Sequence, residues 1–481
     1  MPAAAQQPTG SLSPCGNGGG KVAWLKQYQS ETAAFPRTED TLSVPVTVHV
    51  VGTNDGTGFF SEVGVFEAFC TLNQDFEPAG IRFFIEGDIQ YHTNSIWYDH
   101  TFPQGAAMMA QQNVPNTINC YIVDSPAGNC GYSNYSLGIA LAKSCISPND
   151  HTWAHEVGHY LSLPHPFSGW EGYDHDYSQP APAFVNGEPV EKVDGSNCHF
   201  AADGFCDTPP DYLNYRWPCN GQSQSNTTQY DPDEAAFQSD GTLFMSYALD
   251  QCANRFSAEQ IEAMRANLLT DRSNLLYNTS ALPPPVAADI AVLTPLPGDT
   301  IPTFLDVPFA WEPLPWAEGY YLEITVLSNF QAVLHRFATQ GATTYTVENL
   351  LKKNKTYYWR VRPFNRWHTC KSYSPVFSFQ TGDVETVNTT TTVQHLPQLN
   401  ILRNPIPHGS PEALFTVSAP LPNPLSVALV APTGGILRKQ SLPAVPADGI
   451  VRLAVDNLPP GLYFILVETA AQVLSGKLMI R

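Results

Sequence analysis

The stretch Thr152-Trp153-Ala154-His155-Glu156-Val157-Gly158-His159-Tyr160-Leu161-Ser162-Leu163-Pro164-His165-Pro166 holds the densest chemistry in the chain. It contains His-Glu-x-x-His, with a further histidine six residues on. On a helix, residues four apart share a face, so His155 and His159 can aim two imidazoles at one metal ion. Glu156 stands one step round, where its carboxylate can reach a water on that ion without ligating it. Zinc suits such a set, because neutral imidazole is a preferred ligand and a catalytic site keeps one position open for water. His165 is the candidate third ligand. Pro164 and Pro166 oppose continued helix, which the chain must leave for His165 to swing back. A packed helix can carry two histidines for other reasons. With 13 His in 481 residues, a third at one fixed offset arises by chance only about once in 37 positions. The triple is therefore far more specific than the pair. The chemistry it points to is hydrolysis: zinc acidifies its water and polarises a carbonyl, while Glu156 takes the proton and passes it to a leaving amine.

A chain of 481 residues is too long for one core, and two to four domains are expected. A hydrophobic content of 43% is enough to pack them, and no apolar run reaches the length of a membrane span. The formal net charge of −20 disfavours nucleic acid as a partner, because it repels phosphate. It fits an extracellular surface and leaves carboxylates available for calcium. The ten cysteines include no Cys-x-x-Cys pair, so disulfides in an oxidising compartment are expected rather than a structural zinc framework. The opening Met-Pro-Ala-Ala-Ala-Gln-Gln lacks the basic start and apolar core of a signal peptide.

The elements that must position the histidines come next. Residues 1–41, rich in Gly, Ser, Ala and Pro, read as an extended leader with Cys15-Gly16-Asn17-Gly18-Gly19-Gly20 in its middle. Val44–Val51 alternates β-branched residues as a strand does, and Ser61–Phe76 spaces Val65, Phe66, Phe69, Leu72 and Phe76 as a helix does. Ile81–Ile85, Ile118–Val123 and Leu137–Ala142 are further strands. This order predicts an α/β layer with the metal helix beneath a sheet. The 137–142 strand is expected at the cleft edge, where strand addition would hold an extended peptide. Residues 166–239 are irregular, with Cys198, Asp203, Cys206-Asp207-Thr208-Pro209 and Cys219. Leu243-Phe244-Met245-Ser246-Tyr247 and Cys252 follow. A last helix then starts from a Ser257/Gln260 capping box.

His155-Glu156-x-x-His159 with His165, Asp207-Thr208-Pro209, and Phe244-Met245-Ser246-Tyr247 with Cys252 and Phe256 together resemble the pappalysin family of metzincin metallopeptidases, over roughly residues 42–278. The resemblance implies an upper sheet-and-helix subdomain and a lower irregular one around a substrate cleft. It implies Met245 as the methionine turn under the metal and Tyr247 as the hydroxyl that steadies the oxyanion. It also implies calcium at Asp203, Asp207 and Thr208, a set that otherwise reads as a solvated acidic loop. Cys219 with Cys252 resembles a family disulfide; Cys198 with Cys206 and Cys130 with Cys145 are plausible short loops. One position departs from the pattern: Ser162 stands where metzincins carry Gly. Serine there either takes a left-handed backbone at a cost of about 1 kcal/mol or the chain turns another way.

After a Pro-rich linker at 279–289, evenly spaced strands over 290–382, with Trp311 and Tyr357-x-Trp359-x-Val361, resemble a fibronectin type III domain. The reading for it is a spacer, dispensable for catalysis. A Thr-rich linker at 383–397 leads to an all-β unit over 398–481. Its Asn404-Pro405, Pro432-Thr433-Gly434-Gly435, Leu458–Phe464 and terminal Gly476–Arg481 resemble the C-terminal sorting domain of type IX secretion in Bacteroidota. That implies export by the type IX machinery and a secreted or cell-surface location. The fold class expected is thus multidomain, an α/β (α+β) metzincin-like catalytic domain followed by two all-β sandwiches. The function expected is a zinc endopeptidase acting on proteins or peptides. A zinc hydrolase with non-peptide substrates and a secreted binding protein on a metalloprotease-like scaffold are the alternatives. Cys15-Gly16 matches a family latency switch, in which a thiolate takes the open metal position until the leader is cut, with Arg37-Thr38 as the expected cut site. A disulfide to Cys370 or an idle thiol is the alternative for Cys15.

Overall fold

A computed structural model of the chain describes residues 12–18, 20–276, 286, 289–385, 399–401, 405–417, 425–431, 436–443, 450–468 and 473–481. The linkers expected at 279–289 and 383–397 lie largely outside these, as do Asn404 and Pro432–Gly435. The chain divides into two compact units, Met1–Glu385 and Thr386–Arg481.

In the first unit, the elements that build the site are α1 (Ala23–Ser30), β1 (Leu42–Gly52), α2 (Glu62–Phe76), β2 (Ile81–Ile85), β3 (Gln90–Thr93), α3 (Ser95–Tyr98), β4 (Asp99–His100), α4 (Phe102–Gln112), β5 (Ile118–Val123), β6 (Ser125–Pro126), β7 (Gly131–Asn134), β8 (Gly138–Ala142), α5 (Thr152–Tyr160) and α6 (Ala258–Leu269). The main sheet runs β2-β1-β5-β8-β7, with β3 also paired to β1. Its strands are parallel except β7, which is antiparallel to β8. β1 is buried along its whole length, as a near-continuous apolar strand in a covered parallel sheet must be. α2 begins where the Ser61 side chain accepts from Gly64 N at 3.0 Å, and it buries Val65, Phe66, Phe69, Leu72 and Phe76. α5 packs against β7, β8 and α2. The metal helix therefore lies under the sheet, as expected.

Two details differ from the sequence reading. β8 is internal, between β5 and β7, so β7 is the cleft-side edge. The short Gly131–Asn134 run carries too few apolar residues to announce a strand. The second difference is in the leader. From Val22 onward it is not an extended segment. α1 buries Leu25 and Tyr28 in the main core. Trp24 Nε1 donates to Thr270 Oγ1 at 3.1 Å, and Gln29 Nε2 donates to the Asp203 carbonyl at 2.8 Å. Arg265 donates to the carbonyls of Thr38 and Asp40, and Arg37 pairs with Glu262 at 3.0 Å. Leu25 and Tyr28, three apart, give one short apolar face, and the polar flanks conceal it.

The sandwich expected over 290–382 forms from a three-stranded and a five-stranded sheet, around a core that includes Trp311, Tyr320, Leu322, Trp359 and Val361. The sandwich is built onto the α/β layer rather than standing apart from it. Phe364 packs on Phe66 with ring centroids 4.9 Å apart, and Trp367 stacks on Phe84 at 3.8 Å. Ile85 N, on edge strand β2, donates to the Arg366 carbonyl at 3.1 Å. Arg366 reaches Asp88 at 3.1 Å. Cys70 of α2 is disulfide-bonded to Cys370. That bond removes Cys370 as a partner for Cys15. The three expected pairs, Cys130–Cys145, Cys198–Cys206 and Cys219–Cys252, all form. Cys15 and Cys120 are free and buried.

The second unit is a β-sandwich of a three-stranded and a four-stranded sheet, with Phe415, Val427, Leu429, Val451, Ile465, Val467 and Leu478 in its core.

Candidate metal centre

α5 carries His155 and His159 on one face, and its end decides where His165 goes. Leu161 N donates to Val157 O and Leu163 N to Gly158 O, both at 2.9 Å, closing the last turn. Ser162 takes φ 84° to make that turn. Of the two routes open to Ser162, the left-handed backbone is the one used. The chain reverses through Pro164 and brings His165 back over the helix.

The three Nε2 atoms converge. His159 Nε2 is 3.1 Å from His155 Nε2 and 3.1 Å from His165 Nε2. The opposite ring atoms fix their protonation. His155 Nδ1 is 2.7 Å from the Phe244 carbonyl, and His159 Nδ1 is 2.7 Å from the Leu163 carbonyl. Carbonyls only accept, so both Nδ1 atoms carry the hydrogen and both Nε2 atoms present lone pairs. His165 Nδ1 faces Glu171 Oε1 at 2.9 Å and donates to it in the same way. Burial, then His165, holds His155 down to about 3, and burial first holds His159 well below its usual range. The His155 and His159 lone pairs and the His165 Nε2 face one point at this spacing, as the ligands of a single cation do. Nitrogens held about 2.0–2.1 Å from one tetrahedral ion stand roughly 3.3–3.4 Å apart, close to the spacing seen. Imidazole nitrogens with oxygen partners behind them are what zinc takes.

The fourth corner is Cys15. Its Sγ and one nitrogen from each of His155, His159 and His165 all lie within 4.8 Å of one another, and all four residues are buried. The leader reaches this point by pairing parallel to the chain before and into β7. Ser13 N donates to Gly128 O at 3.0 Å, Cys130 N to Ser13 O at 2.7 Å and Gly16 N to Gly131 O at 2.8 Å. Ser133 N donates to Asn17 Oδ1 at 2.7 Å.

Glu156 is fully buried, and neither carboxylate oxygen has a nitrogen or oxygen partner. The Cys15 thiol lies against it, and burial lifts its carboxyl to about 8. It fits there because position 131 has no side chain: a Cβ on Gly131 would lie 2.8 Å from Glu156 Oε1. Tyr247 donates its hydroxyl to the Cys15 carbonyl at 3.3 Å, and burial keeps the phenol protonated by pushing its pKa far up. Its ring stands 4.9 Å from that of His165. Met245 is buried beneath α5, where a Cβ on Gly158 would come 2.4 Å from its sulfur. The candidate residues for catalysis, zinc, methionine turn and latency are therefore brought together.

The calcium set is gathered only in part. Asp203 and Thr208 join, with Thr208 Oγ1 donating to Asp203 Oδ1 at 3.0 Å, and both are buried. Asp207 is exposed and turns away to accept from Glu259 N at 2.9 Å, capping α6. The third group beside Asp203 is Glu191, 3% exposed, whose Oε2 has no partner. Burial, then Asp203, raises Glu191 to about 9, and burial raises Asp203 to about 7. The Lys21 ammonium is a cation that acts on both carboxylates, and hard oxygen donors of this kind are what calcium takes. Sequence reasoning missed Glu191, and it missed Glu171, which orients His165 and also accepts from Gly169 N at 2.8 Å. Neither stands at a fixed spacing from a motif, so nothing in the order of residues marks them.

No family model matches the chain. It is similar to proteins named extracellular metalloprotease. One from Pyricularia oryzae is 23% identical over 191 residues, spanning 36% of this chain and 65% of that protein. One from Arthroderma gypseum is 22% identical over 255 residues, spanning 49% and 75%. One from Sordaria macrospora is 24% identical over 279 residues, spanning 53% and 86%. Among solved structures, fibronectin(III)-like modules of Clostridium thermocellum CbhA match at 10% identity and a TM-score of 0.16, over 40% of this chain and 94% of theirs. A two-domain fibronectin type III segment of chicken tenascin matches at 14% identity and 0.14, over 40% and 97%. Scores so low carry no argument. What stands is a strand-rich, multidomain chain with disulfides, distantly similar to extracellular metalloproteases.

Proposed function

We propose that the chain is a secreted zinc endopeptidase of the pappalysin-like metzincin type, kept latent by its own leader. The observation that carries this reading is the meeting of three imidazole Nε2 atoms beside a buried Glu156 whose carboxylate has no nitrogen or oxygen partner. His155, His159 and His165 would hold the ion; zinc bound there supplies a Lewis acid that polarises a carbonyl and acidifies water. Glu156, one step round α5 from the two histidines, takes the proton of the attacking water. It then delivers that proton to the leaving amine. Tyr247, already donating to a peptide carbonyl in the cleft, is placed to donate to the oxygen on which negative charge develops. Edge strand β7 offers main-chain groups to an extended peptide, as it does to the leader. Cys15 supplies a sulfur where water must enter, and its carbonyl occupies the Tyr247 hydroxyl. Calcium at Asp203, Thr208 and Glu191 would neutralise the buried acids of the lower wall. The second unit serves export by the type IX machinery, a reading supported by the residues quoted for it.

The test is mass-spectrometric mapping of cleavage in a denatured proteome by the processed protein, with a zinc chelator as control. Glu156→Ala should abolish cleavage yet retain about one zinc, since Glu156 is a base and not a ligand. His159→Ala should lose both. Absence of chelator-sensitive cleavage by the wild type, or a zinc-free Glu156→Ala protein, refutes the reading.

A further inference from the structure

We infer that processing frees the metal centre by hydrolysis of the chain beside Lys21, and that α1 stays in the mature protein. The consequence for activity rests on the latency reading above; the position of the cut does not.

The two halves of the leader are held in different ways. Ser13–Asn17 lies in the cleft on a handful of hydrogen bonds to residues 128–133. From Val22 onward the chain belongs to the fold: Leu25 is fully buried, Tyr28 is 5% exposed, and Trp24 and Gln29 are anchored on Thr270 and Asp203. Between the halves, Gly18, Gly20 and Lys21 make no backbone hydrogen bond among the described residues, and Gly18 and Gly20 are exposed. A protease must draw an extended segment into its own cleft, and it cuts fastest where the least structure has to open first; a cut after Lys21 asks only Val22 and the first turn of α1 to loosen.

Exposure alone points elsewhere. Lys21 is half-buried, its Nζ 3.4 Å from the Phe200 carbonyl and facing the carboxylates of Asp203, Glu188 and Glu191. Lys26 is exposed and the Arg37 side chain is 64% exposed. Lys26, however, lies inside α1, its N–H bonded to Val22 O at 3.2 Å, so cutting there requires α1 to unwind and surrender Leu25 and Tyr28. A cut at Arg37 would achieve little. α1 would remain docked by its buried side chains, and Cys15 would remain tethered to it a few residues away. A short tether keeps a group at millimolar effective concentration or above.

A cut beside Lys21 severs that tether. Water adds across one amide, leaving a carboxylate on the Cys15 side and an amine on the α1 side. The freed peptide is then held by its cleft contacts alone: the Cys15 sulfur at the histidine cluster, the Tyr247 hydroxyl on the Cys15 carbonyl and a few backbone bonds each worth about 1 kcal/mol net; without the tether it leaves on dilution.

The experiment treats the full chain with limiting trypsin and follows N-terminal sequence, intact mass and peptidase activity together. The activating cut is expected after Lys21, at least about tenfold ahead of any cut after Lys26, which needs α1 to unwind; a cut after the exposed Arg37 should bring no gain of activity. The retained chain should begin at Val22 and keep α1 through gel filtration. Lys21→Gln should abolish the activating cut, whereas Arg37→Gln should leave its time course unchanged. Activity gained by a cut after Lys26 or Arg37 with the Lys21–Val22 bond intact, or loss of the α1 peptide from the nicked protein, overturns the inference and leaves the latency reading standing. Cutting after Lys21 with no gain of activity overturns the release step together with that reading.

Discussion

Replacing Ser162 by Gly should stabilise the chain without changing the metal site. Ser162 takes φ 84° at the end of α5, and its hydroxyl is buried with no partner. A left-handed backbone costs a residue with a Cβ about 1–2 kcal/mol, and a buried, unpaired hydroxyl costs about 1–3 kcal/mol. Glycine gives back about 0.5–1 kcal/mol through the freer unfolded chain. The lower ends of both gains, set against the larger entropy term, leave a net stabilisation of at least about 1 kcal/mol. For a domain of this kind, that is a rise of about 2–4 °C in Tm. The midpoint of denaturant unfolding should rise while the slope stays the same. Zinc content should not change, because the turn that returns His165 is the one glycine prefers. An unchanged or lowered midpoint would refute the argument that the turn is strained.

Cys15→Ala should show peptidase activity before any processing, and identical activation time courses for mutant and wild type would make the leader a bystander. Cys370→Ser should lower stability by about 2–4 kcal/mol, and a chain ending near 278 should lose more, because it uncovers Phe66 and Phe84; denaturant midpoints equal to the wild type's would return the sandwich to a spacer. Calcium at about 100 times its Kd should stabilise by about 2.7 kcal/mol, a gain that Glu191→Gln abolishes; a wild type that melts identically with and without calcium contradicts the site. His49 should make the chain acid-labile. Its Nε2 faces Asn119 Oδ1 and its Nδ1 faces His92 Nε2, both at 3.0 Å, and burial lowers it to about 4. Between about pH 6.5 and 4 the unfolded chain binds the extra proton, so stability present above that range falls with pH, by on the order of 2–3 kcal/mol. Denaturant midpoints at pH 7 and 4.5 should converge in His49→Gln, and an unchanged acid slope in that variant would discount His49.

The parts of the site that were legible in sequence are those that local geometry dictates. His155, Glu156 and His159 are placed by one helix, and His165 by the turn that the two prolines allow. The α2 strand-and-helix neighbourhood was legible because each element carries its own apolar period. Cys130–Cys145, Cys198–Cys206 and Cys219–Cys252 close short loops, separated by 15, 8 and 33 residues. Cys70–Cys370 spans 300 residues and joins two domains, a distance over which spacing says nothing. Glu171 and Glu191 escaped for the same reason, since each acquires its role from a partner that folding delivers. α1 was missed because its apolar side is two residues wide, and only docking on Thr270 and Asp203 makes it a helix worth forming. β7 was missed because an edge strand can afford polar residues.

Gly16 shows how much one residue type can determine. A Cβ there would lie 2.8 Å from Asn129 Nδ2 and 2.8 Å from the Phe102 ring. A side chain at 16 would require the Asn129 amide or the Phe102 ring to move aside, or the leader to shift from the bond between Gly16 N and Gly131 O. That bond holds the Cys15 carbonyl at Tyr247 and its sulfur at the three imidazoles. Glycine after the cysteine gives the leader this close approach without moving its neighbours. The sulfur supplies the chemistry, and the missing side chain beside it supplies the register. The same logic holds on the opposite wall, where Gly131 makes room for Glu156 and Gly158 for Met245. Three positions without side chains let the leader, the carboxylate and the methionine approach the histidines from three directions. Gly131 flanks no candidate ligand in sequence, which is why only the folded chain explains it.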